Sequence, residues 1–263
     1  MKKMMLLSYV FVLIVLGGGW FIISPARAGS TLVVDTTSDV IAADGKCALR
    51  EAVIAANTDN PFNDCPAGSG ADTIQFSASL PSPATLVLDN TGAGEDDAQT
   101  GDLDIAGTLT INGTGAGMII LDGYADDRVL EIKSGAQVTV TGVTIRNGDP
   151  GSGQDGGGIL VNLSGKLTLM NTSVMTNTAV RGGGIKVLGG LIANDSSFDD
   201  NKGGGIDNDG GALNLTNVTI TDNTNGYGVR NQNSGVLIYN AGLVDGNKGG
   251  GVYNDRGTAS LTG

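Results

Sequence analysis

From about residue 101 to the end of the chain, apolar and polar positions alternate in runs of only a few residues. Leu109-Thr-Ile111, Val138-Thr-Val140, Leu167-Thr-Leu169, Leu213-Asn-Leu215 and Val236-Leu-Ile238 are examples. A period of two is the signature of a strand with one face buried. Two further signatures are interleaved with these runs. The first ends in x-x-Asn: Val174-Met-Thr-Asn177, Phe198-Asp-Asp-Asn201, Ile220-Thr-Asp-Asn223 and Val244-Asp-Gly-Asn247, with Asn-to-Asn steps of 24, 22 and 24. The second is Gly-Gly-Gly-Ile at 156–159, 182–185 and 203–206, then Gly-Tyr-Gly-Val at 226–229 and Gly-Gly-Gly-Val at 249–252. Its apolar ends step by 26, 21, 23 and 23.

A period of about 23 residues, built from very short strands, predicts one coil of a single-stranded parallel β-helix, an all-β solenoid. Gly and Asn supply corners, where φ turns positive. The L-x-x-L-x-L frame of leucine-rich repeats is missing, and the Gly content with β-branched strands excludes helical repeats. One coil cannot bury its own inner face, so stacking must supply both the core and the backbone pairing.

Aligning the coils creates columns. Asn208, Asn231 and Asn254 share one position, and Asn171, Asp195, Asn217 and Asn240 share another. Amides stacked at one coil spacing, ~4.8 Å, can hydrogen-bond along the axis. A third column reads Leu160, Lys186, Asp207, Arg230, Tyr253 and predicts an exposed ion-pair ladder. Arg230 beside Asp207 also fits the base and acid of a lyase. In a fourth group Asp200 stacks on Asp222, with Asp199 and Asp245 two coils apart. Close carboxylates repel, which raises a pKa or recruits Ca²⁺. A solvated corner of an acidic protein explains them equally.

Residues 29–100 do not repeat. Thr31–Val34 reads as a strand, as do 73–76 and 85–88, and 92–100 as an acidic loop. CALREAVIAAN at 47–57 is the one amphipathic helix, with Leu49, Ala52, Val53 and Ala56 on a single stripe. At the N-terminus, Lys2 and Lys3 precede an apolar run, and Ala26-Arg27-Ala28 is a small-residue cleavage site. Residues 1–28 therefore read as a signal peptide of an exported protein with no transmembrane segment after cleavage. Cys47 and Cys65, an even pair in an exported chain, read as a disulfide. A metal site would need further soft ligands, and the chain has no His.

Composition then removes whole classes of function. Without His there is no His-based triad and no HExxH zinc site. Gly accounts for 44 of 263 residues without a G-X-Y period, so collagen is excluded. Loss of the three basic residues of the signal takes the net charge from −12 to −15. Such a chain repels nucleic acid and anionic membranes and attracts divalent cations.

CALREA at 47–52 resembles the N-terminal CSLREA motif of exported bacterial right-handed parallel β-helix proteins, with Ala48 where that motif has Ser. Gly-Asp-Leu-Asp-Ile at 101–105 and Arg128-Val-Leu-Glu-Ile132 resemble the same family. The FxxN and GGxI elements resemble repeats of polymorphic outer-membrane proteins, and Phe198-Asp-Asp-Asn201 fits outright. The resemblance implies a right-handed coil and a surface location, outer membrane included. It also implies a capping region at 29–100, whose helix covers the first coil of the repeats at 101–263. Arg50 and Glu51 are then expected to face solvent or to pair locally. Residues 257–263 look like the start of another coil, which suggests a fragment of a longer parent chain.

Function is less legible, because solenoids of this type carry adhesins and enzymes alike. The leading expectation is a secreted or cell-surface protein that binds a surface polysaccharide or a neighbouring cell without catalysis and without a cofactor. The alternative is a polysaccharide lyase or glycoside hydrolase using Asp199, Asp200, Asp222 and Arg230, with Ca²⁺ held by Asp200 and Asp222. Three absences weigh against catalysis. No coil departs from the pattern, insertions beyond 148–155 are few, and aromatic residues are scarce. A third reading is a spacer that positions another domain.

Overall fold

The computed structural model describes residues 28–263. The expected signal segment lies outside the described residues except for Ala28. The chain winds as a parallel β-helix with three strand-bearing faces. Face A stacks Thr31–Val34, Ala71–Phe76, Thr108–Asn112, Gln137–Thr141, Lys166–Met170 and Gly190–Asn194, then the first halves of Ala212–Thr221 and Val236–Asp245, and last Thr258–Thr262. Face B stacks Ala84–Val87, Ile119–Asp122, Thr144–Arg146, Ser173–Met175 and Ser197–Asp199, followed by the second halves of the same two long strands. Face C stacks Leu103–Ile105, Leu130–Ile132, Ile159–Val161, Ile185–Val187, Ile206–Asp209, Val229–Gln232 and Val252–Asp255. Every pairing between these strands is parallel and in register.

The core is a set of aliphatic columns. On face A, Leu32, Ile74, Ile111, Val140, Leu169, Ala193 and Leu215 follow one another along the axis, all fully buried. Face B contributes Leu121, Ile145, Val174, Phe198 and Ile220. Face C contributes Leu103, Leu130, Ile159, Ile185, Ile206 and Val229. Alternation within the strands turns the intervening side chains away from the core, although in several face C strands these are buried as well.

The two repeat signatures are two sides of one corner. Asn177, Asn201, Asn223 and Asn247 form an amide ladder. Asn177 Nδ2 and the Asn177 backbone N–H both donate to Asn201 Oδ1, each at 3.0 Å. Asn201 repeats the pattern on Asn223, and Asn223 on Asn247. The glycines lie against this ladder. A Cβ on Gly184 would stand 2.5 Å from the Gly205 carbonyl and 3.1 Å from Asn201 Nδ2, and Gly158 is confined in the same way by Asn177. The triple-Gly run is therefore needed for close approach as well as for turning. A second ladder, Asn208 to Asn231 to Asn254, runs at 2.7 Å per step inside face C, as the alignment predicts.

One column needs correction. Asn171, Asp195 and Asn217 are in register, but the fourth member is Ala241, because Asn240 pairs with Thr216. The backbone explains the column. Asn171, Asp195, Asn217 and Ala241 all hold φ between 47° and 58°, so what recurs is a left-handed corner rather than an amide.

Helix α1 spans Leu49–Thr58, two residues inside the predicted start, and ends at Asp59 in the left-handed conformation. It packs on Thr31–Val34, Ala71–Phe76 and Leu103–Ile105, the first strands of faces A and C. Cys47 and Cys65 are joined by a disulfide beside its N-terminus.

Arg50 and Glu51 do not face solvent: they are 0% and 1% exposed. The Arg50 guanidinium makes five hydrogen bonds. Two go to the Asp39 carboxylate, each at 2.8 Å, and three to the carbonyls of Ala98, Gly101 and Asp102. All five of its N–H donors are thereby used. The Glu51 carboxylate accepts from the Ala42 and Ala48 backbone N–H groups and from Asn63 Nδ2. The pair thus ties four separate segments of the cap together. Helical spacing put both residues off the apolar stripe, and only the long-range contacts bury them.

Candidate functional site

The outward column on face C is in the predicted register, and it is longer than the sequence suggested. It runs Asp104, Glu131, Leu160, Lys186, Asp207, Arg230, Tyr253. Asp104 and Glu131 were legible as the middle residues of Leu-Asp-Ile and Leu-Glu-Ile, which match Ile159-Leu-Val161. The expectation that this ladder is exposed is overturned: Lys186 and Asp207 are 4% and 2% exposed. Loops fold over the face. Asp155, from the 148–155 insertion, reaches Lys186 Nζ at 3.4 Å, and Asp209 does so at 3.1 Å. Asp207 Oδ2 sits against the same ammonium. Burial works to lower the Lys186 pKa, but the hydrogen bonds and charges of Asp207 and Asp209 prevail and hold it above the usual lysine value. Lys186 is therefore held protonated and cannot serve as a base near neutral pH.

Farther along the same face, a cavity of about 340 Å³ opens to solvent. Arg181, Asp207, Tyr227, Arg230 and Tyr253 line it. Tyr227 and Tyr253 come from successive coils and stack with ring centroids 4.6 Å apart and planes 13° from parallel. The scarcity of aromatics therefore does not leave the surface without a platform. Sequence spacing hid it, because Tyr227 sits in the Gly-rich corner and Tyr253 on a strand. Asp207 Oδ1 is buried with no hydrogen-bond partner. Arg230 Nη1 approaches it at 3.7 Å, beyond hydrogen-bond distance.

The other candidates lie elsewhere. Asp199 points outward from face B in register with Thr221 and Asp245. Its carboxylate accepts from the Thr221 hydroxyl at 2.5 Å. Asp200 and Asp222 are exposed at the following corner, with φ of 49° and 54°. Asn147, Thr176 and Gly246 hold the same conformation in that column. Asp is one of the residues that tolerates this region, so backbone geometry accounts for both carboxylates. None of Asp199, Asp200 and Asp222 borders the cavity that takes Arg230. Asp199, Asp200 and Asp222 are thus on a different face from Arg230, whereas Asp207 stands beside Arg230 but is buried.

Among the described residues no third carboxylate joins Asp200 and Asp222. Among the described residues, the carboxylates grouped closely enough to share a cation are Asp96, Asp104 and Glu131. Lys133 Nζ already stands among them, at 2.7, 3.3 and 2.9 Å. Its charge does there what a cation would do. Beside this cluster, burial together with the charges of Asp127 and Asp104 raises Asp102 to about 8. Burial raises Asp104 to about 6. Both side chains are enclosed, at 3% and 1% exposure, so neither can meet a polymer.

No protein family matches this chain. No curated protein and no solved structure matches it either. The fold therefore stands on the stacked parallel strands themselves.

Proposed function

We propose that this chain is an exported β-helix that binds a ligand on its outer faces and displays that surface without catalysing a reaction. The observation that carries the reading is the separation of Asp199, Asp200 and Asp222 from Arg230, together with the burial of Asp207, the one candidate acid beside it. Arg230 lies on face C, whereas Asp199, Asp200 and Asp222 occupy face B and its corner. Hydrolysis of a glycosidic bond needs two carboxylates facing one bond, and elimination needs a base near the proton it removes. Lys186 is neutralised by three carboxylates. Asp102, whose raised pKa would suit a general acid, is enclosed. A rigid coil with regular faces suits adhesion or display. The surface of a neighbouring cell, or a surface polysaccharide, is the partner this reading implies. The CSLREA-like cap and the FxxN repeats support an outer-membrane or secreted location. No helix among the described residues is long and apolar enough to cross a membrane.

The test is a depolymerisation screen combined with retention measurements. Purified 29–263 is incubated with acidic and neutral polysaccharides, with Ca²⁺ and with chelator, and new reducing ends and unsaturated products are followed. The expected result is binding without products and without chelator sensitivity. Turnover that disappears in Asp200→Asn would replace this reading with the enzymatic one. Expression of the whole chain in a host that exports it should yield a mature protein beginning at Gly29.

A further inference from the structure

We infer that the face C groove is an anion-selective sugar site whose ligand is a pyranose carrying a carboxylate, as in a uronate-bearing oligosaccharide. The inference rests on the reading of the molecule as a binding protein and names the ligand class. Four features converge. Arg230 is only partly exposed, and its guanidinium donates no hydrogen bond among the described residues. Its one ion-pair partner among the described residues, Asp207 Oδ1, stands at 3.7 Å. Arg181, exposed and lining the same groove, supplies a second guanidinium. A guanidinium fork matches a planar carboxylate with two parallel N–H···O bonds. The stacked Tyr227–Tyr253 pair forms an apolar wall of the kind the C–H face of a sugar ring covers.

Asp207 Oδ1 is the remaining feature. It is a buried acceptor with no partner, which is costly unless something donates to it. Asp207 borders the cavity, so a ligand hydroxyl there would supply the missing donor. The cavity volume, about 340 Å³, is at the small end of ligand clefts and suits one or two rings rather than a protein. The rest of the surface sharpens selectivity. The exported chain, at net charge −15, repels an anionic ligand overall, so the two arginines that line this groove favour its binding there.

The experiment titrates the protein with an α-1,4-linked galacturonate hexamer, its methyl ester and a neutral hexamer, reading heat and the tyrosine signals. The acid hexamer should bind. The ester and the neutral sugar should bind roughly tenfold or more weakly, the cost of one charge-assisted fork. Arg230→Ala should weaken the acid hexamer by roughly tenfold to a hundredfold, and Arg230→Lys by less, because it keeps the charge and loses the fork. Tyr227→Ala should weaken acid and ester alike. Circular dichroism identical to that of the parent shows that each variant is folded, and Lys166→Ala, exposed on face A, serves as the control remote from the groove. Equal affinity for acid and ester overturns anion recognition, and no binding of any hexamer overturns the site. Glycan binding that ignores Arg230→Ala overturns the groove and leaves the binding reading standing. Shortening of the hexamer does the reverse: it keeps the groove and overturns the non-catalytic reading.

Discussion

The two ends of this solenoid solve one problem with different chemistry. In the cap and first coils, buried charges hold segments that are distant in sequence: Arg50 with Asp39, and Arg128 with Asp102 and Glu131. Along the later coils the inward polar groups are neutral amides, and the buried charges there, Lys186 and Asp207, stand on the outward column of face C. On face C the inward column changes from Ile105, Ile132, Val161 and Val187 to Asn208, Asn231 and Asn254. Ladders of amides work where each neighbour is a copy: Asn201, Asn223 and Asn231 each donate to the next coil and accept from the previous one, while Asn208 Oδ1 at the start of its ladder has no partner. The cap has no copy to lean on. Its backbone carbonyls and odd-length loops need a donor that reaches in several directions, and a guanidinium does this.

The largest test of that contrast is Arg50→Ala. It leaves the Asp39 carboxylate and three carbonyls without their donor, so a loss of about 3–5 kcal/mol is expected, as for other broken buried pairs. Chemical denaturation would measure it, and a loss below about 1 kcal/mol would mean that the cap is held chiefly by α1 packing and the disulfide. Asn201→Ala probes the other end. It strands the Asn177 amide and the Gly184-side corner, and should cost about 1–3 kcal/mol. Hydrogen exchange should show the damage centred on the coils of Asn177 and Asn223. Uniform loosening along the whole solenoid would argue against local, nearest-neighbour stabilisation.

The same contrast explains what could be read from sequence. Period, register and the Asn208 column were legible because copies align against copies, and a column is a property of spacing alone. The Asn240 slip arose where the recurring feature was a backbone angle, and residue type records angles loosely: Asn171, Asp195, Asn217 and Ala241 share the conformation without sharing chemistry. Arg50 and Glu51 were misjudged because a helical stripe reports only on the helix. Their partners Asp39, Ala98, Gly101 and Asn63 lie in loops with no period to align. The groove was half legible. Asp207, Arg230 and Tyr253 followed from the column, whereas Tyr227 and Arg181 reach it from corners.

The charged end should also be the pH-sensitive end. In the folded protein Asp102 and Asp104 are raised to about 8 and about 6, above the ordinary carboxylate value of 3.8. The folded protein therefore binds more protons than the unfolded chain between those values. The stability these groups contribute is complete below pH 3.8 and is lost as pH rises through 6 and then 8. Asp35, Asp96 and Asp209 are shifted downward, so they are ionised in both states from pH 5 to 8 and add no slope there. Thermal midpoints should accordingly fall as pH is raised from 5 to 8. Asp102→Asn, neutral at every pH, should raise the midpoint at pH 8 and flatten the profile. An unchanged slope would mean that Arg128 keeps Asp102 ionised throughout.

The smallest effect concerns the residue at which the motif departs. Ala48 occupies the N-cap of α1 with φ −76° and ψ 159°, a conformation suited to a capping side chain, yet it has none to offer. Glu51 returns one bond to the Ala48 backbone N–H, which is half of a capping box. Ala48→Ser supplies the missing hydroxyl to the first turn and should add about 0.5–1 kcal/mol. The site is tight, with Ala48 only 2% exposed, so the gain depends on a hydroxyl fitting where a methyl now sits among neighbours. A gain in Ala48→Ser that is lost when Glu51→Gln is added would show that the two halves of the box act together. Equal gains in both backgrounds would assign the benefit to the serine alone, and a loss would show that packing at the disulfide end of the helix outweighs the cap.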